Sequence, residues 1–146
     1  MVPGQFERGT PVYPLEPKLP AVAKARHLAS EVAEDMMSGD QRYNLELAVT
    51  EVVSNAIRHS ASGEHITLVM TPMDGYLCVR VTDGGAGLVP RPGAMRTEKG
   101  AGFGLFIVEQ LARRWGVTRE AGKTRVWFEL GCQTSSASGF PEPVAG

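Results

Sequence analysis

Cysteine and histidine are scarce in this chain of 146 residues: it has two cysteines, Cys78 and Cys132, and three histidines. With no C-x-x-C spacing and no histidine cluster beside the cysteines, a zinc site is not expected, and a chain this long can bury one core without disulfide or metal staples. A surplus of charge is also missing. The formal net charge is -1 and the pI about 6.3, which gives no electrostatic reason for broad binding to nucleic acid or to an anionic membrane. No apolar run approaches the roughly 20 residues that span a bilayer. The start, Met1-Val-Pro-Gly-Gln-Phe-Glu-Arg8, lacks the charged and then apolar stretches of a signal peptide. A reducing cytoplasm suits both thiols, and cytoplasmic localisation is the expectation. There are no internal repeats.

What is present is an ordinary globular balance, 42% hydrophobic and 21% charged. Residues 1–9 and 132–146 are rich in small residues, glycine and proline without apolar periodicity. They read as mobile tails around one domain over 10–131. Thr10-Pro-Val-Tyr-Pro-Leu-Glu-Pro17 is extended, and its prolines permit only an edge strand. Ala21 to Met37 repeats apolar residues at helical spacing. The clearest helix runs from about Gln41 to His59, where Leu45, Ala48, Val49, Val52, Val53, Ala56 and Ile57 form an i, i+3, i+4, i+7 series. Ile66 to Met70 and Tyr76 to Thr82 read as strands joined at Met73-Asp-Gly75. Residues 84–99 form a long glycine- and proline-rich loop, of the kind that is usually functional in a compact domain. A helix from Phe103 to Trp115 follows, with Arg113 and Arg114 as its solvated end, and then strands near 117–120 and 124–130. The fold class this implies is α+β: a two-layer sandwich whose mainly antiparallel sheet is covered on one face by helices.

Three segments carry chemistry. Glu51 and Asn55 are four residues apart on the second helix, so their side chains lie about 40° apart around its axis. His59 extends the same ridge beside the apolar face. These residues either rim the core or line a cleft. Asp83 ends a strand and opens the turn Asp83-Gly-Gly85-Ala-Gly87. An ionised carboxylate only accepts hydrogen bonds, so it suits the exocyclic amine of adenine and not the keto oxygen of guanine. Glycines there let the backbone approach a flat base, although a plain Asp-Gly turn reads the same. Gly100, Gly102 and Gly104 precede a helix, whose free N–H groups favour phosphate oxygens, or they form a flexible loop. No G-x-x-x-x-G-K-[ST] occurs, and the series lacks the strand and acidic residue of a dinucleotide fold. The His-Arg-Asp and Asp-Phe-Gly elements of eukaryotic-type protein kinases are missing too.

In this order and in these contexts the segments closely resemble the three boxes of the GHKL, or Bergerat-type, ATP-binding superfamily, over roughly residues 12–130. Glu51-Val-Val-Ser-Asn55-Ala-Ile-Arg-His59 is similar to the N-box, and Asp83-Gly-Gly85-Ala-Gly87 to the first glycine box. Gly100-Ala-Gly102-Phe-Gly104-Leu105 is similar to the second. The resemblance implies ATP and Mg²⁺ as cofactors, with Asn55 holding the metal, Glu51 acting as general base and Asp83 reading adenine. It also implies nucleotide contacts from His59, Gly85, Gly87, Gly100, Gly102, Gly104 and Leu105. Arg58, Arg91, Arg96 and Lys99 are further candidates near the phosphates.

Length narrows the resemblance. There is no room for the coupling domains of gyrase-like or MutL-like proteins, and His27 on a single helix does not make a histidine kinase dimerisation hairpin. The chain is most similar to bacterial anti-sigma-factor serine/threonine kinases. That resemblance implies a sigma factor and a small anti-anti-sigma (STAS-type) protein as partners, phosphorylation of the latter, and a homodimer. A non-catalytic, ATP-gated binding module and a slow ATPase without a protein substrate use the same residues.

Overall fold

The computed structural model describes residues 10–60, 65–83, 105–120 and 122–132. Both expected tails, apart from Cys132 at the border of the second, and the loop over 84–99 lie outside the described residues. Among the described residues five strands, β1 (Val12–Leu15), β2 (Ile66–Met73), β3 (Tyr76–Asp83), β4 (Arg114–Glu120) and β5 (Lys123–Gly131), accompany three helices. These are α1 (Pro20–Ala33), α2 (Gly39–His59) and α3 (Phe106–Leu111). The strands form one antiparallel sheet in the order β1-β2-β3-β5-β4. The expected α+β sandwich is what the chain adopts.

Local chemistry sets the element ends. Pro14, which has no N–H to give a second neighbour, sits in β1 at the sheet edge. Pro20 opens α1, where its missing N–H costs nothing. Helix α2 starts earlier than its apolar period suggests because Ser38 and Gln41 form a capping box. The Gln41 N–H donates to Ser38 Oγ at 3.1 Å, and the Ser38 N–H donates to Gln41 Oε1 at 2.9 Å. Met73 pairs with Tyr76 across a two-residue Asp74-Gly75 turn, with Gly75 at φ 88.

The third helix is shorter than the sequence period indicates. It ends at Leu111, and Arg114 and Trp115 belong to β4. Apolar residues at Trp115 and Val117 fit either period. What decides is pairing: Trp115 lies opposite Phe128 and Val117 opposite Val126, which completes the sheet. Arg113 and Arg114 therefore are not a helix end but lie at the start of an edge strand.

Strand alternation divides the sheet into two faces. One carries Leu68, Met70, Leu77, Val79, Val81, Val126, Phe128 and Leu130, which form the core with the helices. Ala21, Ala25, Ala29 and Ala33 are buried along one stripe of α1, letting it lie close to its neighbours, while α2 contributes Leu45, Ala48, Val49, Val52, Val53 and Ala56. The opposite face holds Val69, Thr71, Cys78, Arg80, Trp127 and Glu129, none of which belongs to the helix-packed core. Gly116 lies beside Trp127 there. A Cβ at this position would stand 2.9 Å from the indole Cζ2 and Nε1.

Both thiols are free, Cys78 buried and Cys132 half-buried. Burial pushes the Cys78 thiol up from its ordinary value, and the Arg80 charge opposes that rise; burial alone raises Cys132.

Two predictions follow from this packing. Gly116→Ala lowers unfolding stability by about 1–3 kcal/mol through overpacking against Trp127. Gly39→Ala, with nothing within 4 Å of its new methyl, leaves stability unchanged or higher; denaturant titration followed by indole fluorescence compares the two. A thiol pKa raised on folding contributes stability below the unfolded-state value and loses it as pH rises. Unfolding free energy therefore falls above about pH 8.5, and a Cys78→Ala/Cys132→Ala variant flattens that limb.

Candidate nucleotide site

The site is built at one end of the sheet. Asp83 is the last residue of β3 and pairs with Thr124 of β5, and both side chains lie on the helix-covered face and are buried. Thr67 pairs with Thr82, which puts Ile66, the first residue of β2, abreast of Asp83. Six residues separate His59 from Ile66, so the carboxyl end of α2 is tied to this same end of the sheet. α2 packs against both β3 and α3. Glu51 and Asn55 lie one turn apart on it, Glu51 half-buried and Asn55 only 5% exposed. Leu105, the residue before α3, is 1% exposed and joins the core.

The polar atoms here are unusual. Asn55 Oδ1, Ser60 Oγ and Thr124 Oγ1 are buried and have no hydrogen-bond partner among the described residues. Ser60 directly follows α2, so all three oxygens belong to this end of the molecule. An orphaned buried acceptor or hydroxyl costs about 1–3 kcal/mol. A polar ligand at this end of the sheet would supply bonds that the described residues do not. Hydrophobic periodicity did not reveal Thr124. Its position opposite Asp83 is the signal, and that needs the strand register.

Among the described residues no three His, Cys, Asp or Glu side chains group as a metal site. The donor chemistry nonetheless fits Mg²⁺, which takes hard oxygen ligands, keeps several waters and relies on substrate phosphates. Asn55 Oδ1 is a buried amide oxygen of that kind. Gly85, Gly87, Gly100, Gly102 and Gly104 lie outside the described residues, as do Arg91, Arg96 and Lys99. His59 is the last residue of α2, and Arg58 beside it is exposed. His27, on the exposed side of α1, pairs with Glu31 one turn on at 3.2 Å. A cleft of about 370 Å³ lies between β1, the start of α1 and His65, and includes none of the nucleotide candidates.

A family model for the histidine kinase-like ATPase domain matches residues 15–130. The chain belongs to this family. Membership implies ATP binding and places the chain in a kinase and ATPase superfamily. The same fold appears in the crystal structure of the RsbU and RsbW domains of Rv1364c from Mycobacterium tuberculosis, with a TM-score of 0.63 and 22% identity. That match covers 84% of this chain and 33% of the mycobacterial one, so the chain spans about a third of its length. The Acinetobacter baumannii histidine kinase AdeS matches at a TM-score of 0.49 and 16% identity, over 84% of this chain and 68% of that one. Comparison with curated proteins finds no match. Among the described residues, no helix of this ATPase domain is long and apolar enough to cross a membrane.

The orphaned oxygens yield a test in which stability and binding move in opposite directions. Thr124→Val keeps the side-chain shape and removes a buried hydroxyl with no partner among the described residues. It should raise the unfolding free energy by about 1 kcal/mol in the absence of nucleotide while weakening ATP binding. Paired thermal melts and calorimetric ATP titrations read both; a loss of stability would mean that the hydroxyl has a structural partner.

Proposed function

We propose that the chain is an ATP-dependent serine/threonine protein kinase that acts as an anti-sigma factor, with the ATP-binding domain over about residues 10–131. The observation that carries this reading is the intact pair on α2. Asn55 presents a buried amide oxygen with no hydrogen-bond partner among the described residues, and one turn earlier Glu51 keeps a half-buried carboxylate, in a chain of the histidine kinase-like ATPase family. Binding ATP alone requires no base. The resemblance of the first strand, the opening helix and the terminal Val126-Trp-Phe-Glu-Leu130 strand to anti-sigma-factor kinases supports the choice of acceptor, and the fold shared with a chain carrying an RsbW domain agrees with it.

In this reading Asp83 accepts a hydrogen bond from the adenine amine, and Thr124 supplies the neighbouring hydroxyl, which can donate or accept. Leu105 forms the apolar floor beside them. His59, Gly85, Gly87, Gly100, Gly102 and Gly104 contact the nucleotide, the last three holding the triphosphate under a closing loop. Asn55 holds Mg²⁺ through Oδ1, and the ion, when bound, supplies neutralising charge at the phosphate oxygens. Glu51 orients the serine hydroxyl of a small STAS-type anti-anti-sigma protein and takes its proton. The oxygen attacks the γ-phosphorus and ADP leaves. Positioning and electrostatics provide most of the rate in phosphoryl transfer, so so few side chains suffice. A sigma factor is the second partner, and a homodimer the working assembly.

Glu51→Ala should retain ATP binding and lose phosphate transfer, by about 10²–10⁴-fold for the removal of a general base. Incubation of wild type and variant with labelled ATP, Mg²⁺ and a candidate anti-anti-sigma protein reads the outcome. Tight ATP binding by the wild type with no labelled partner favours an ATP-gated binding module. Phosphate released to water at the same rate with and without the partner favours a plain ATPase.

A further inference from the structure

The face of the sheet away from the helices has its own order. Three rows cross it: Thr71, Cys78, Glu129 and Arg114; Val69, Arg80, Trp127 and Gly116; Thr67, Thr82, Arg125 and Thr118. Glu129 is the only carboxylate in these rows, against three arginines, in a chain whose formal net charge is -1. Arg113, just before β4, adds a fourth cation.

The arginines at the rim are held in place. Arg114 grips Glu129 with a fork, Nε to Oε1 at 3.0 Å and Nη2 to Oε2 at 2.9 Å, and Arg113 Nε stands 3.7 Å from Oε1. The Arg113 guanidinium lies 4.6 Å from the centre of the Tyr76 ring, and that of Arg114 lies 6.0 Å from the Trp127 ring. Glu129 is itself buried, whereas the side chains of Arg113 and Arg114 are 52% and 60% exposed. The fork uses two of the five N–H donors of Arg114, so the pair offers solvent a planar, pre-oriented donor surface with little entropy left to lose.

We propose that this face is a docking surface for a carboxylate-rich segment of a protein partner, gripped by Arg113 and Arg114. Charge complementarity selects the occupant. A second copy docked through the same face would set its arginines against these, a like-charge contact that costs several kcal/mol. Nucleic acid wants a long basic stripe tracking a backbone, and the exposed cations here are few, on a chain of slightly negative net charge. The surface lies across the sheet from Asn55 and Asp83, so an occupant leaves the nucleotide site open. The proposal stands whether or not the chain proves to be a kinase.

The test uses the full chain and a fluorescein-labelled oligo-glutamate peptide at low ionic strength. Wild type should bind the peptide with amide shifts concentrated in β4 and β5, and ATP should not displace it. Arg113→Gln, which leaves the Arg114–Glu129 fork intact, should keep the wild-type melting temperature and ATP affinity while weakening the peptide; Arg113→Gln/Arg114→Gln, which strips buried Glu129 of its fork, should lower the melting temperature, keep ATP affinity in the folded protein and weaken the peptide about tenfold or more. Because the peptide shifts are read on wild type, an unfolded double variant does not remove the test. Unchanged affinity in both variants, shifts confined to the helices, tighter binding of an oligo-thymidylate of equal charge, or a dimer that the Arg113→Gln variant dissolves would each overturn the proposal.

Discussion

Strand β3 must satisfy two neighbours along its edges and two environments across its faces, and nothing else in the molecule can be placed until it does. Its alternate residues Leu77, Val79 and Val81 are apolar and buried, and they define the face that the helices must cover. The residues between them, Cys78 and Arg80, are also buried but lie on a face with no helix among the described residues. A slip of one residue would send Arg80 into the helix layer and Val79 out of it, so the register is tightly specified. With the register fixed, Asp83 falls on the helix side at the strand end, opposite Thr124, where the candidate site lies.

That placement explains how an α2 helix made mainly for packing can also carry chemistry. Val52, Val53 and Ala56 anchor the helix against the core, and Asn55 is carried into the buried region by its neighbours, not by any affinity of its own. Burying an amide oxygen without a partner is unfavourable, and the well-packed residues on either side of it offset the cost. Glu51, one turn earlier, is spared full burial and keeps access to solvent. The step from half-buried carboxylate to buried amide lies along a single helix ridge.

Much of this was legible in the sequence because period and punctuation agreed. The i, i+3, i+4 run of α2 and the alternation in β2 and β3 named those elements, whereas the start of α2 at Gly39 is set by the Ser38 capping box, which the apolar period does not show. Phe103 to Trp115 was less legible, because Trp115 serves a helical period as well as a strand period and only pairing with Phe128 separates them. In the site, Asn55 and Asp83 could be picked out by residue type and context. Thr124 could not, since a threonine at the start of a β-rich run is unremarkable until Asp83 is seen opposite it. The Arg114–Glu129 fork joins residues 15 apart and was hidden for the same reason: long-range register is not written in local composition.

The two faces of the sheet treat buried polarity in opposite ways, and the contrast is informative. On the helix-free face two buried side chains are paired within the protein: Arg80 donates to Thr71 Oγ1 at 3.1 Å, and Arg114 forks Glu129. Such pairs compensate the desolvation of their charges within the protein, and they fix the register by making any other alignment leave a charge unmatched. On the helix-covered face, at the end near Asp83, Asn55 Oδ1 and Thr124 Oγ1 find no described partner. Evolutionary pressure for stability alone would replace those two with apolar residues, because the isosteric change removes a cost and leaves the packing alone. Polarity that is paired internally reads as architecture, whereas polarity left open at a strand end, in a histidine kinase-like ATPase domain, reads as provision for a ligand that brings its own donors and acceptors.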